Sequence, residues 1–582
     1  MINRRQFPPA IERMRMLRRF NQHSCRETVD LTGLWDFVTA EDRKDRSRLP
    51  KSYNRTMFVP GAWEQIPGLE AYRGKAWLRR MVPSGKGKAL RVVFAGVSHT
   101  ATVFVDGKRM GGHHDAFTPW NVVARNLSAG QHELVVEVDN TFGDHSALHI
   151  ENDYYTYGGI TRPAELQFVP AVYVDRIHCV PTMRGGKWSL DVTIRLKNWS
   201  RRSARREVTI DVAGKRMSLG VVTVRPGASR ELSGKLEGLK VSPWSPASPR
   251  LYEVTARVLA DGECVDDTME RVGFRQLRIR GKKLLLNGDP LKLTGYNRHE
   301  SHPQFGNALP VEAMVTDLQI MKDLGCNFIR TAHYPNDQRF LDLCDEMGML
   351  VWEESHARSP DFQHPKFQEQ ITASTREMID WHYNHPSIIM WGCLNECNSD
   401  VAWGRKVYAR LVKLIKKLDP HRPVTFATNR GNRDICLDLA DIVSFNRYCG
   451  WYGQSIDRIE KDIKGLLRWL HSDASKGGKG KPVIMSEFGA GAIYGFRHAG
   501  KAKWTEQYQA DLLDEALRVY LGNPNIIGVA IWQFCDVRIT FDWWRTRPRT
   551  MNNKGTVDEY RRPKLAYEVV KKRFHEARRN SS

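Results

Sequence analysis

Short runs of alternating apolar and polar residues fill the first half of the chain. Leu90–Phe94, Ala101–Val105 and Glu133–Val138 read as strands, and Asp106-Gly107 marks a hairpin turn between two of them. Helical periodicity is absent from about residue 25 to 175, so the pattern predicts a two-sheet sandwich of the jelly-roll type. The same period continues over 176–275 with fewer aromatics, in Trp188–Leu196, Glu207–Val212 and Leu251–Leu259 around the proline-rich Val241–Pro249. About a hundred residues of short strands predict a small immunoglobulin-like sandwich. Residues 1–24 stand apart as an N-terminal extension.

The rhythm changes near residue 276. Eight strand-like runs now alternate with amphipathic stretches: Lys292–His299, Cys326–His333, Met349–Glu354, Ile388–Glu396, Val424–Thr428, Ile442–Tyr448, Val483–Gly489 and Ile526–Asp536. Candidate helices lie between them, among them Val311–Leu324, Gln338–Met347, Ala373–Tyr383 and Ala402–Leu418. In the last, Val407, Leu411, Leu414, Ile415 and Leu418 keep one apolar face. Eight strand–helix units over about 300 residues is the count for a (β/α)8 TIM barrel spanning 276–582. The run Ile388-Ile389-Met390-Trp391 is apolar throughout, as a strand covered on both faces must be, and it leads into Asn395-Glu396.

Composition narrows the class. At 582 residues the chain exceeds one ordinary core, and 41% hydrophobic content excludes disorder. Seventeen Trp lean towards broad aromatic faces of the kind that sugars need. No apolar run approaches the roughly 18 residues of a membrane span, so no membrane partner is expected. The first 24 residues carry six arginines and no apolar core, unlike a secretory signal. The ten cysteines are scattered, and Cys393 and Cys397 lack a second pair at zinc spacing, so buried free thiols and a reducing, cytoplasmic location are expected. A net charge of +23 without any nucleic-acid-binding signature argues against nucleic acid, while a positive field favours anionic substrates by steering. The basic cluster at Arg561–Arg579 is expected on the solvated face of a closing helix.

A barrel of this kind collects its chemistry at the C-terminal ends of the strands. Those ends carry Arg298-His299-Glu300, Arg330, His333-Tyr334, Glu353-Glu354, Asn395-Glu396, Asn446, Tyr448, Glu487, Trp532 and Asp536. Glu396 and Glu487, closing the fourth and seventh runs, suit glycosidic cleavage. One carboxyl would protonate the leaving oxygen while the other, ionised, attacks or stabilises the oxocarbenium-like centre. Sequence spacing leaves retention and inversion both open.

Four stretches resemble glycoside hydrolase family 2, the family of β-galactosidases, β-glucuronidases and β-mannosidases: G-Y-N-R-H-E-S-H-P (295–303), N-F-I-R-T-A-H-Y-P (327–335), H-P-S-I-I-M-W-G-C-L-N-E (385–396) and P-V-I-M-S-E-F-G (482–489). W-S-P-A-S-P-R-L-Y (244–252) is similar to the family's linker-side motif, and the domain order agrees. The resemblance implies Glu396 as general acid/base, Glu487 as nucleophile of a retaining mechanism, Asn395 on the sugar 2-hydroxyl, and no metal or cofactor. M-N-N-K-G (551–555) resembles the Asn-x-Lys signature of the family's β-glucuronidases, which places Asn552 and Lys554 on a uronic-acid carboxylate, where ammonium and amide give charge-assisted hydrogen bonds. N-R-Y-C-G-W-Y (446–452) implies contacts from Tyr448 and Tyr452, with Cys449 replacing an aromatic of that segment. N-D-Y-Y-T-Y-G-G-I-T-R (152–162) resembles the loop that the jelly roll sends into the barrel mouth, bringing Asp153, and His333 and Trp532 match wall positions.

The implied activity is exo-β-glucuronidase. A β-galacturonidase stays open because the clamp does not see the 4-hydroxyl, and a β-galactosidase because R-H-E-S-H-P is similar to that branch. A non-catalytic carbohydrate-binding protein is the reading from another class. Only 18 residues separate Glu354 from Ala373, a shortness that implies an open site for larger aglycones. Family resemblance also implies a homodimer or homotetramer.

Overall fold

The computed structural model describes residues 22–46, 48–85, 87–357, 364–540 and 547–579. Most of the N-terminal extension, residues 1–21, therefore lies outside the described residues.

A six-stranded antiparallel sheet, edged by Arg55–Val59 and Lys108–His113, faces a four-stranded one (Glu27–Asp30, Ala89–Phe94, Trp120–Ala124 and Ala164–Val169). Their inward positions close one core around Trp35, Phe37, Trp63, Val92 and Val136. This is the jelly roll. Val172–Val272 builds the second sandwich from a three-stranded and a four-stranded sheet around Leu190, Ile194, Ile210 and Val258.

The closed barrel is all-parallel. Its strands are β1 (Leu293–Asn297), β2 (Phe328–Arg330), β3 (Leu350–Glu354), β4 (Ile388–Asn395), β5 (Val424–Thr428), β6 (Val443–Asn446), β7 (Val483–Glu487) and β8 (Ile526–Ile531). All eight fall within the expected runs, and every strand residue is buried. The described residues hold seven barrel helices rather than eight: α1 (Val311–Asp323), α2 (Gln338–Met347), α3 (Pro365–His382), α4 (Ala402–Leu418), α5 (Ile459–Leu470), α6 (Glu506–Leu521) and α7 (Ala566–Arg579). Between β5 and β6 the connection is a three-residue turn of 3-10 helix, Gly431–Arg433, because R-G-N-R-D has no apolar face to hold a longer one. Helix α3 begins eight residues before the expected Ala373, with Pro365 in its first turn, where a missing N–H costs nothing. The segment after β3 is thus shorter still, and its residues 358–363 lie outside the described residues.

A hairpin that sequence reading missed, Leu277–Arg280 with Lys283–Leu286, plugs the floor of the barrel. Leu284 and Leu286 pack with Leu293, Phe328, Leu350, Trp352 and Ile484. Trp244, fully buried in the same cluster, donates its indole N–H to the Asp345 carbonyl at 2.9 Å and pins the second sandwich to the barrel. Arg271 adds ion pairs to Asp342 and Glu346. The jelly roll docks on the opposite, mouth side, where buried Arg162 reaches Glu300 at 2.7 Å and the Pro335 carbonyl at 2.6 Å. Glu300 is therefore a tie between domains. No helix among the described residues is long and apolar enough to cross a membrane. The basic cluster near the C-terminus divides: Arg561 is buried on Asp317 and Lys564 on Asp536, and the solvated face belongs to later residues of α7.

Candidate active site

Strand β4 carries its apolar run to Asn395, and the next residue, Glu396, turns out of the sheet with φ 51°, a left-handed conformation unusual for a residue with a side chain. Arg330, at the end of β2 and fully buried, organises the groups around it. Its guanidinium donates to Glu487 Oε1 at 2.8 Å, to both oxygens of Glu354 at 2.8 Å, to Asn395 Oδ1 at 2.9 Å and to Asn297 Oδ1 at 3.0 Å. A guanidinium presents five donors in a rigid fork, so one side chain fixes four strand ends. Asn446, whose Oδ1 accepts from the Ser486 hydroxyl, donates its Nδ2 to Asn395 Oδ1 at 3.1 Å and Glu396 Oε1 at 2.9 Å. With Oδ1 so occupied, Asn395 presents its buried Nδ2, which has no protein partner among the described residues.

The two carboxylates share one cavity of about 340 Å³, lined by Asp153, Tyr448, Tyr452 and Trp532 among others. Glu487 accepts from Arg330 on one oxygen and from the Tyr448 hydroxyl on the other at 2.8 Å. Burial, and then the charge of Glu396, push Glu487 up to about 7 against the pull of Arg330 and Tyr448. Such a pair titrates jointly. Their donors differ: among the described residues Glu487 receives a guanidinium and a phenol, and the Glu396 carboxylate one amide. The arrangement can therefore divide proton donation from attack between two carboxyls, as glycosidic cleavage demands.

The opposite wall comes from the jelly-roll loop and the segment after β8. Asp153 Oδ2 accepts from Arg547 at 2.7 Å and from Asn552 Nδ2 at 3.1 Å, while its Oδ1 is buried without a protein partner among the described residues. Lys554 is 2% exposed and donates to the Tyr452 hydroxyl at 2.9 Å. Burial, with a contribution from Arg547, holds this ammonium below its usual value despite the Tyr452 hydroxyl. Burial also acts to raise Tyr452, but the cations of Lys554 and Arg547 outweigh it and lower its hydroxyl. Asp536 does not line the cavity. It anchors this segment, accepting from Gly555 N at 2.9 Å and Lys564 Nζ at 2.7 Å. Gly555 passes so close that a Cβ there would stand 2.3 Å from Asp536 N.

Of the expected site residues, Glu396, Glu487, Asp153, Tyr448, Tyr452 and Trp532 line the cavity, as does Cys449. Asn395 and His333 stand directly behind it. His333 is 2.9 Å from Glu354 Oε1 and stacks on Trp532 with ring centroids 4.9 Å apart. Asn552 and Lys554 lie one hydrogen bond behind the wall, on Asp153 and Tyr452. Arg547 escaped sequence reading altogether, since R-T-R-P-R-T looks like a basic surface loop. Arg330 was visible as a charge ending a buried strand, without its role as hub. Among the described residues Asp342, Asp345 and His385 are spaced closely enough for a metal ion, but His385 and Ser387 N already occupy both oxygens of Asp345 and Arg271 occupies one of Asp342.

Residues 277–578 match the TIM barrel domain of glycosyl hydrolases family 2, and residues 172–275 match glycosyl hydrolases family 2. A β-galacturonidase from Eisenbergiella tayi, solved with galacturonate, is 44% identical with a TM-score of 0.91, over 96% of this chain and 99% of that one. Bacteroides uniformis β-glucuronidase 2, solved covalently bound to cyclophellitol-6-carboxylate aziridine, is 28% identical with a TM-score of 0.82, over 94% of this chain and 69% of that one. A curated β-glucuronidase from Streptococcus agalactiae is 27% identical, with 94% of this chain and 96% of the relative covered. With the barrel and its facing carboxylates, these matches identify a glycoside hydrolase, and the chain belongs to glycosyl hydrolase family 2.

Proposed function

We propose that the protein is a retaining exo-β-uronidase, cleaving terminal β-linked hexuronic acids. Glu487, oriented by Arg330 and Tyr448, attacks the anomeric carbon. Glu396 gives its proton to the departing oxygen and then removes one from the incoming water. Asn395 offers its Nδ2 to the 2-hydroxyl. The observation that carries the uronide reading is Lys554, an ammonium 2% exposed and one hydrogen bond behind the cavity wall. Among the described residues no carboxylate forms an ion pair with it, although the charge of Asp153 reaches it, and such a buried cation is costly unless a ligand supplies the countercharge. Arg547 and Asn552 beside it would share that carboxylate or hold Asp153 against the sugar hydroxyls.

Of the two common epimers, β-D-galacturonide is the first choice, supported by 44% identity to the Eisenbergiella tayi enzyme against 28% and 27% for the two β-glucuronidases compared above. β-D-Glucuronide is the second reading, favoured by the full-length likeness to the Streptococcus agalactiae relative. The test is kcat/KM on p-nitrophenyl β-D-galacturonide, β-D-glucuronide and β-D-galactoside. A uronide should lead the galactoside by two orders of magnitude or more. A galactoside turned over as well as either uronide overturns the proposal.

A further inference from the structure

A second, larger hollow of about 780 Å³ opens beside the catalytic cavity and shares Arg447 and Gln454 with it. It lies on the Glu396 side. Arg447 follows Asn446, the residue that holds Glu396, and the Arg430 guanidinium donates to the Glu396 carbonyl at 3.4 Å. In the proposed reaction Glu396 delivers its proton to the leaving group, so the group that leaves must extend over this side. The hollow is where an aglycone longer than one ring would lie.

Its chemistry is strongly biased. Arg430, Arg447, Arg458 and Lys461 line it, with Asp462 as the acid among the lining residues, and Asp462 is already engaged by Arg447. Counting the neighbours that pair with these groups adds Asp400, Asp457 and the cation Arg433, so positive charge still exceeds negative. The ion pairs of Arg458 and Arg433 are exposed and stretched to 3.6 Å, and bind their cations weakly. Gln454, Ser455 and Asn432 add neutral hydrogen-bonding groups, and half-buried Trp469 offers an aromatic face. Cations, amides and one indole ring in a groove leading to a glycosidic acid fit an acidic sugar chain.

We propose that this hollow is an aglycone subsite for anionic glycans, and that the natural substrate is an oligosaccharide whose residue next to the cleaved uronic acid carries a carboxylate or sulfate. This rests on the uronidase reading. The test uses four substrates with the same terminal uronic acid: the p-nitrophenyl glycoside, and disaccharides whose second residue is a neutral hexose, a hexuronic acid or a hexose sulfate. Wild-type kcat/KM should favour an acidic second residue over the neutral one at least tenfold. Arg458→Glu with Lys461→Glu should cut that ratio at least fivefold and leave the p-nitrophenyl glycoside within twofold. A stronger response to carboxylate or to sulfate then identifies the charged group. Equal turnover of acidic and neutral disaccharides, or a ratio unmoved in the double variant, overturns the subsite while the p-nitrophenyl arm still upholds the uronidase reading. No turnover of the p-nitrophenyl uronide by the wild type overturns both.

Discussion

Replacing Lys554 with methionine keeps most of the buried stem and removes the charge. Lys554 is 2% exposed, its ammonium donates to the Tyr452 hydroxyl and sits over the rings of Tyr448, Trp451 and Tyr452, and burial already disfavours its charged form. A bound uronate would relieve that cost, so the pair is desolvated on both sides. Truncating one partner of a buried charge pair costs 2–5 kcal/mol. Arg547 remains beside Tyr452 and Asp153 and softens the loss, which places the expectation at the lower end, about 2–3 kcal/mol. That corresponds to roughly a 30- to 160-fold fall in kcat/KM on a uronide. A neutral galactoside has nothing to pair with the ammonium, so its slow turnover should stay within about threefold. The assay is the p-nitrophenyl series at fixed ionic strength, with thermal unfolding as a check on folding. Equal losses on both substrates, or no loss on the uronide, would refute the assignment of Lys554 to the sugar's acid group.

Other consequences follow from the same geometry. With Glu487 pushed up to about 7 and required in its ionised form, kcat/KM should rise as pH climbs through that value. Glu396→Gln removes the second cause of that elevation, so a substrate with a leaving group needing no protonation should show its acid limb at lower pH. An unmoved limb would contradict the coupling of the two carboxylates. Arg330→Gln strips Glu487 of its charged donor and Asn395 of one anchor, and should lower kcat by 10²-fold or more, read as steady-state rate on a saturating uronide. Burial alone would lower His385, but Asp345 at 2.6 Å outweighs it and raises the imidazole to about 9. Its folded value lies above the unfolded one, so this stabilisation is full below pH 6.5 and fades towards pH 9, amounting to about 3 kcal/mol. Unfolding of His385→Asn against urea should lose that pH dependence.

The apolar strands announced the barrel because a strand covered on both faces favours a near-continuous apolar run, and Ile388–Leu394 is such a run. Side chains ending those strands were legible for the same reason. What lay beyond them was not. The 3-10 turn at Gly431–Arg433 takes the place of a helix that the count of eight strand–helix units supplied although R-G-N-R-D has no apolar face, and the floor hairpin at Leu277–Leu286 is too short to show a period. Arg547 acquires its place only when Asp153, 394 residues earlier, is brought against it by the docked jelly roll. Asp536 ended a strand-like run as a catalytic acid would, yet folding spends it on Lys564 and Gly555. Contacts formed across such distances leave no spacing to read.

The most direct measurement is calorimetric binding of D-galacturonic acid and D-galactose to the Glu487→Gln protein, with and without Lys554→Met. The acid should bind at least tenfold more tightly than the neutral sugar, and that advantage should vanish in the double variant. Equal affinity for the two sugars, or an advantage that survives the loss of Lys554, would contradict the account.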